Sequence, residues 1–202
     1  LSPSALAAIQ ADGRVQFVSA DRMVRATAQT LPTGINRIDA DASSTLAGNG
    51  AGSVNVNVAV IDTGIDASHP DLNVVGGRGC AAGVGFTDGN GHGSHVAGTI
   101  AAKDDANGVV GVAPGARLYA AKVLTDAGVG LNSDVICGID WVTSTRTDAD
   151  PTNNIAVANM SLGGGGTDDG NCGNSNNDAE HLAICNSVAA GVSYVVAAGN
   201  DG

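Results

Sequence analysis

Aromatic side chains are nearly absent: one Trp, two Tyr and two Phe make up 2% of 202 residues. A core built from such a chain must rely on Ala, Val, Ile and Leu, and small apolar residues suit tightly packed parallel strands flanked by helices. Glutamate is scarcer still, with Glu180 the only one. Basic residues are few, nine Lys and Arg against twenty Asp and Glu, for a formal charge of −11. That balance argues against nucleic acid or an anionic membrane as the main partner. It suits a soluble secreted protein or one that binds cations. No apolar run approaches the roughly 18 residues of a membrane span. Residues 1–20 lack the basic start and apolar core of a signal peptide. The chain also opens at Leu1 rather than Met, so its natural start is expected upstream. No Cys-x-x-C occurs, which weakens a zinc-ribbon or redox reading.

What is present is an apolar, glycine-rich chain, 43% hydrophobic with 30 glycines, long enough for one domain with a sizeable core. There is no internal repeat and no sign of a second domain. Four cysteines, Cys80, Cys137, Cys172 and Cys185, allow three pairings, and four buried free thiols remain the alternative. Cys172 and Cys185 flank a loop rich in Asn, Asp and Gly, where a crosslink would contribute about 3 kcal/mol in the chain-entropy model.

Strand and helix signals alternate along the chain. "RVQFV" (14–18) alternates after an Asp-Gly turn and predicts a strand. "VNVNVAVI" (54–61) predicts a strand that stops at "DTG". Residues 62–90 are loops with short strands, and a helix is expected from about 92 to 102. A strand follows at 116–124. A helix at 133–142 places Val135, Ile136, Ile139 and Val142 on one face behind a Ser cap. A strand at 155–161, a polar loop at 163–177, a helix at 178–190 and a buried strand at 192–198 complete the pattern. Such alternation calls for an α/β fold, a doubly wound parallel sheet with helices on both faces. In such sheets the working residues sit at the carboxyl ends of strands. Here those ends are Asp62, the 125–130 loop, Ser161–Gly163 and Asn200.

Asp62 directly follows "VAVI" and precedes Thr-Gly, so it sits in a tight turn at a strand's carboxyl end. A turn or cap Asp is the commonest fate there, and a ribose contact has no G-x-G-x-x-G to support it. His92, between Gly91 and Gly93, opens a helix where a substrate backbone could approach closely. A general base needs one free ring nitrogen and a carboxylate holding the other, and Asp62 could be that carboxylate. His92 and His95 are spaced i, i+3, whereas the helical zinc pair is i, i+4 with a Glu between them. Asn200, after "VVAAG", reads as a turn former or as an amide donor to a developing oxyanion.

"VAVIDTGID", "GHGSHVAGTIA", "GVAPGARLYAAKVL", "NMSLGG" and "VVAAGN" stand in the order and spacing of the subtilisin-like serine proteases. The resemblance runs from about residue 28 to 202. It implies Asp62 as the triad Asp, His92 as the general base and Asn200 as the oxyanion-hole side chain, with His95 a packing residue. Gly128, Val129 and Gly130 resemble the family's substrate edge strand. Ser161, Leu162 and Gly163 resemble the opposite strand, which also walls the specificity pocket. A peptide would lie extended between them and gain main-chain hydrogen bonds from both.

"KDDANGVVGVAP" (103–114) resembles the family's calcium loop. By that likeness Gln29, Asp71, Lys103, Asp105, Asn107 and Val109 hold a structural calcium through oxygen ligands. The plainer reading makes Asp104 and Asp105 solvated turn residues. The resemblance and a secreted context imply the disulfides Cys172–Cys185 and Cys80–Cys137. Residues 1–27 resemble the tail of an inhibitory pro-segment leading to a mature start near Ala28, so residues 28–202 would be the first two-thirds of a catalytic domain. The alternative for 1–27 is a disordered extension.

The family's serine lies in a Gly-Thr-Ser-x-Ala stretch, and this chain contains none. Ser94 and Ser161 match no nucleophile motif. The chain stops at "AAGNDG", where the family continues, so it is expected to be a C-terminally truncated piece inactive by itself. The parent is expected to be a secreted, monomeric serine endopeptidase that acts on proteins and peptides and is inhibited by its own pro-segment. Nucleic acid and membrane are not expected partners. The alternative is a non-catalytic, calcium-stabilised binding or regulatory module with a degenerate fold.

Overall fold

The computed structural model describes residues 2–19, 29–81 and 85–200. Five strands form one wholly parallel sheet: β1 (Asn57–Asp62), β2 (Val74–Gly79), β3 (Arg117–Lys122), β4 (Val157–Met160) and β5 (Ser193–Val196), in the spatial order β2-β3-β1-β4-β5. The helices are α1 (Pro3–Gln10), α2 (Thr33–Arg37), α3 (His92–Ala101), α4 (Asn132–Ser144) and α5 (Ala179–Ala189). The doubly wound parallel sheet expected from the alternation is present. From β1 the chain lays β2 and β3 on one side, then crosses to β4 on the other. The order therefore reverses between β1 and β4, where an open α/β sheet forms a crevice beyond its carboxyl ends.

Strand parity decides what faces that crevice. β1 is buried along its whole length. Its Ala59 and Ile61 join Val135, Ile139 and Val142 of α4 on one face of the sheet. Val58 and Val60 join Ala97 and Ala101 of α3 on the other. Successive strand side chains alternate faces, so Asp62 shares the α3 side with Val58 and Val60. The buried side chains of both layers are Ala, Val, Ile, Leu and one Met, with Tyr119, Trp141, Tyr194 and Phe86 packed at their margins. Both disulfides implied by the resemblance are formed: Cys80–Cys137 ties the end of β2 to α4, and Cys172–Cys185 ties a loop to α5.

Three expectations are corrected, and one helix is added. Residues 14–18 form no strand. A strand needs a partner for its amides, and Phe17 is 76% exposed with no sheet beside it. Helix α1, over Pro3–Gln10, is added to the pattern: Ser2 caps it through the Ala5 N–H, and it buries none of its residues. Helix α4 begins at Asn132, and its start is held by the Asp134 carboxylate, which accepts from the Leu131 N–H, rather than by Ser133. Finally, "VSYVVAA" is not a buried strand. Within the described residues β5 pairs with β4, and Val195 and Val196 are 55% and 60% exposed. The end of α5 went as expected: Asp178 accepts from the Glu180 and His181 N–H groups, and Gly191 follows in a left-handed conformation.

Candidate active site

Asp62 ends β1 with no exposed surface. Its Oδ1 accepts the Thr63 N–H at 2.6 Å. His92 Nδ1 lies 2.8 Å from Oδ1 and 2.9 Å from Oδ2 of the same carboxylate. Two contacts to a carboxylate place the ring proton on Nδ1, so the neutral imidazole keeps its lone pair on Nε2. The His92 side chain is 51% exposed, so that nitrogen stands at the surface while the carboxylate behind it is dry.

The start of α3 explains how the ring is held. Gly91 precedes the helix at φ 101°, a left-handed conformation that most side chains resist. The first-turn amides would be orphans without partners, yet each has one. His92 N–H donates to Asn90 Oδ1, Gly93 N–H to Thr63 Oγ1, and Ser94 N–H to Asp88 Oδ2. A Cβ on Gly93 would stand 2.1 Å from the Gly64 carbonyl oxygen, so only glycine lets the helix approach the Asp62 turn this closely.

A cleft of about 410 Å³ opens beside His92, lined by Thr63, Asn90, Leu124, Gly128, Val129, Gly130, Ser161, Leu162 and Gly163. All six residues expected along a substrate are thus gathered with His92. The 125–129 segment is a hydrogen-bonded turn, Thr125 N–H to Val129 O at 2.8 Å, rather than a strand of the sheet. Asn200 lines a neighbouring hollow with Ala197–Gly199, which shares the Ser161–Gly163 wall. A further hollow shares Leu124, Gly130, Leu162 and Gly163, and is closed by Asp168, Asp178, Glu180 and His181. Burial, and then Asp178, push the Glu180 carboxyl above its ordinary range.

The two serines near His92 are otherwise engaged. Ser94 Oγ donates to Asp88 Oδ2 and accepts the Asp66 N–H. Ser161 Oγ accepts from the Asn159 amide. His95 does not pair with His92; it is exposed, not packed, and lines a different hollow with His69, Asp71 and Val109.

Gln29, Asp71 and the 103–109 loop also come together. Gln29 Nε2 donates to the carbonyl oxygens of Lys103, Asn107 and Val109 at 2.6, 3.3 and 3.2 Å. Asp71 Oδ1 accepts the Lys103 N–H, and Asp105 Oδ1 accepts the Asn107 N–H. Burial pushes the Asp71 carboxyl above its ordinary range; the Lys103 amide opposes this and Asp105 adds to it. Three carbonyl oxygens converge on the Gln29 amide, with the Asp71 carboxylate on the same loop; with that amide turned to present Oε1, these oxygens and the nearby Asp105 would suit calcium in chemistry. Asp104 is not a solvated turn residue: it accepts from the Gly48, Gly50 and Gly52 amides and organises that loop. Asp168, Asp169 and His181 also offer ligand atoms within 4.8 Å of one another. Asp169 is occupied by the Asn171, Gly173 and Ser175 amides, whose bonds outweigh desolvation and hold its carboxyl at about 2.

Sequence reasoning missed Asp88 and Lys122. Asp88 lies in an Asp-Gly turn that carries no mark of its partners. Lys122, 2% exposed, donates from Nζ to the Thr63 carbonyl and to Asp126 Oδ1. The register pairing Asp62 with Lys122 across β1 and β3 is the only hint, and it needs the sheet.

The profile described as the Subtilase family matches residues 53–202. Subtilisin DY of Bacillus licheniformis is 47% identical over 176 residues, covering 87% of this chain and 57% of the relative. Subtilisin E of Bacillus subtilis (strain 168) is 42% identical over 204 residues, covering all of this chain and 48% of the relative. M-protease of Shouchella clausii (strain KSM-K16) is 40% identical over 203 residues, with the same 100% and 48% coverage. The chain spans about half the length of these curated relatives. With the profile matching most of its residues and this level of identity along its length, the chain belongs to the Subtilase family.

Proposed function

We propose that this chain is the Asp- and His-bearing part of a secreted serine endopeptidase whose serine lies downstream of residue 202. The observation that carries the reading is the buried Asp62 carboxylate on Nδ1 of an exposed His92, at the head of a cleft walled by two glycine-rich segments. His92 Nε2 takes the proton from the serine Oγ as it attacks the scissile carbonyl, then delivers it to the leaving amine. Asp62 fixes the tautomer and stabilises the imidazolium. The Asn200 amide donates to the oxyanion. Gly128–Gly130 and Ser161–Gly163 hold the peptide main chain on either side, which gives binding that tolerates sequence.

Gln29, Asp71, Lys103, Asp105, Asn107 and Val109 hold a calcium ion that stabilises the fold and takes no part in the chemistry. Residues 1–27 are the tail of a pro-segment that inhibits the same molecule until cleavage near Ala28, which lies outside the described residues. The mature enzyme works as a monomer.

A fluorophosphonate probe, which labels an activated serine, tests this. Residues 1–202 should not label. A protein extended through a downstream Gly-Thr-Ser should label at that serine and lose labelling on His92→Ala. Stoichiometric labelling of the 202-residue chain at Ser94 or Ser161 would overturn the assignment of the nucleophile. An extended protein that folds and never labels supports the non-catalytic alternative instead.

A further inference from the structure

Asp88 makes five hydrogen bonds, and every partner is a donor. Its Oδ1 accepts from Thr63 Oγ1, Asn90 N–H and Gly91 N–H, each at 2.9 Å. Its Oδ2 accepts from the Ser94 N–H at 2.9 Å and from Ser94 Oγ at 2.7 Å. Desolvation pushes the carboxyl up, but the bonds from Gly91, Ser94 and Asn90 prevail and hold it at about 2. The donors come from two places. Thr63 belongs to the turn that presents Asp62; Gly91 and Ser94 belong to the helix start that presents His92. Two of these partners pass the connection on: Thr63 Oγ1 accepts the Gly93 N–H, and Ser94 Oγ accepts the Asp66 N–H.

Gly91, the residue that should cap α3, has no side chain to do so. Asp88 supplies a capping carboxylate from three residues upstream, at the end of the helix where negative charge is stabilising. The same carboxylate also grips the strand side. We propose that Asp88 is a positioning residue of the Asp62–His92 pair, locking the turn after β1 to the first turn of α3 so that His92 Nδ1 stays on the Asp62 carboxylate. The inference rests on the proposed catalytic role of that pair. Only a carboxylate answers five donors with two acceptor oxygens. The isosteric amide turns an N–H₂ toward groups that are themselves donors and leaves them unpaired.

The test uses the 202-residue chain and proton NMR of the imidazole Nδ1–H, whose low-field resonance reports a protected hydrogen bond to a carboxylate. The unsubstituted chain should show one such resonance, lost in His92→Ala. Asp88→Asn should lose it while the circular dichroism spectrum stays native. Thr63→Val, which cuts the clamp from the strand side, should weaken or lose it as well. Asp148→Asn, at a distant exposed turn, should leave it unchanged. A resonance that persists unaltered in folded Asp88→Asn overturns the proposal, as does its absence from the unsubstituted chain. Should Asp88→Asn fail to fold, Thr63→Val and Ser94→Ala decide: a full resonance in both overturns it. Absent labelling of an extended protein by fluorophosphonate, with the resonance behaving as described, would sink the protease reading and leave the clamp standing.

Discussion

On the β1 side of the crevice, the first-turn amides of α3 all have acceptors, Asp62 is sealed from solvent, and a Cβ on Gly93 would collide with the Gly64 carbonyl at 2.1 Å. On the β4–β5 side, Gly163, Gly164, Gly165 and Gly166 have nothing within 4 Å of an added Cβ within these 202 residues. Both sides line the same crevice and draw on the same small residues. The first is fixed by polar groups that leave one another no alternative partner. The second is a backbone track with open space along it. A general base must be placed to a fraction of an ångström, while a wall that grips peptide main chain needs accessible amides and carbonyls. On the proposed reading, the first side would hold the general base and the second would lie along the peptide main chain.

The sharpest way to break the contrast is one methyl group placed on either side. Gly93→Ala forces the helix off the Asp62 turn and should cost at least about 1–3 kcal/mol, the usual penalty of overpacking. Gly164→Ala should stay within about 0.5 kcal/mol of the parent, as surface changes do. Urea unfolding of the two variants measures the difference, and equal costs would erase the distinction. The disulfides offer a second comparison. Cys80–Cys137 spans 57 positions on the first side and Cys172–Cys185 only 13 on the second. Loop-closure entropy gives about 4 kcal/mol for the longer and about 3 for the shorter. The Cys80→Ser/Cys137→Ser pair should therefore melt lower than Cys172→Ser/Cys185→Ser, and the reverse order would show that strain or packing outweighs entropy.

Calcium should act on the first side alone, through the 103–109 loop. At a hundredfold excess over its Kd it should add about 2.7 kcal/mol, or several degrees at about 2–4 °C per kcal/mol. Chelator should remove that increment, and Asp71→Ala should abolish the response. An unchanged melting temperature would reject a stabilising site.

The smallest effect, acid, touches both sides. Asp88 and Asp169 are each held at about 2 against an ordinary 3.8. A carboxyl whose pKa is lowered on folding stabilises the fold above its unfolded pKa and loses that contribution as pH falls through the folded value. Stability should thus be flat in these two groups above about pH 4 and decline between 3.8 and 2. Asp88→Asn should flatten part of that decline. A decline unaltered by the substitution would mean that other carboxylates carry it.

Much of the site could be read from the sequence because it lies where strand gives way to helix. "VAVIDTG" places an Asp at a strand's carboxyl end, and "GHGSHVAG" places a His at the next long helix's start. A parallel sheet brings those ends together whatever the loop between them does. The helix from Ala179 to Ala189 was legible for a similar local reason, an Asp cap and a terminal glycine. Three things were not. An Asp in "TDGNG" reads alike whether it faces water or receives five donors. "RVQFV" alternates like a strand but has no partner, and alternation measures compatibility with a sheet, not membership of one. "VSYVVAA" is apolar enough for a buried strand, yet burial depends on what lies against it.

The sequence by itself determined the alternation of strand and helix, a core whose fully buried side chains are small and apolar, the chemical types at the strand ends, and the absence of any Gly-Thr-Ser-x-Ala serine motif within these residues. Each follows from short-range pattern, because periodicity and turn chemistry act over a few residues. Only the tertiary structure decided that Asp62 points to the α3 face, that Lys122 lies buried beneath its turn, that Asp88 joins the two halves of the pair, and that β5 lies beside β4. Those facts depend on strand order and on contacts that reach from 6 to 60 positions along the chain. Their energies arise only when distant segments meet and unpaired donors must find acceptors away from water.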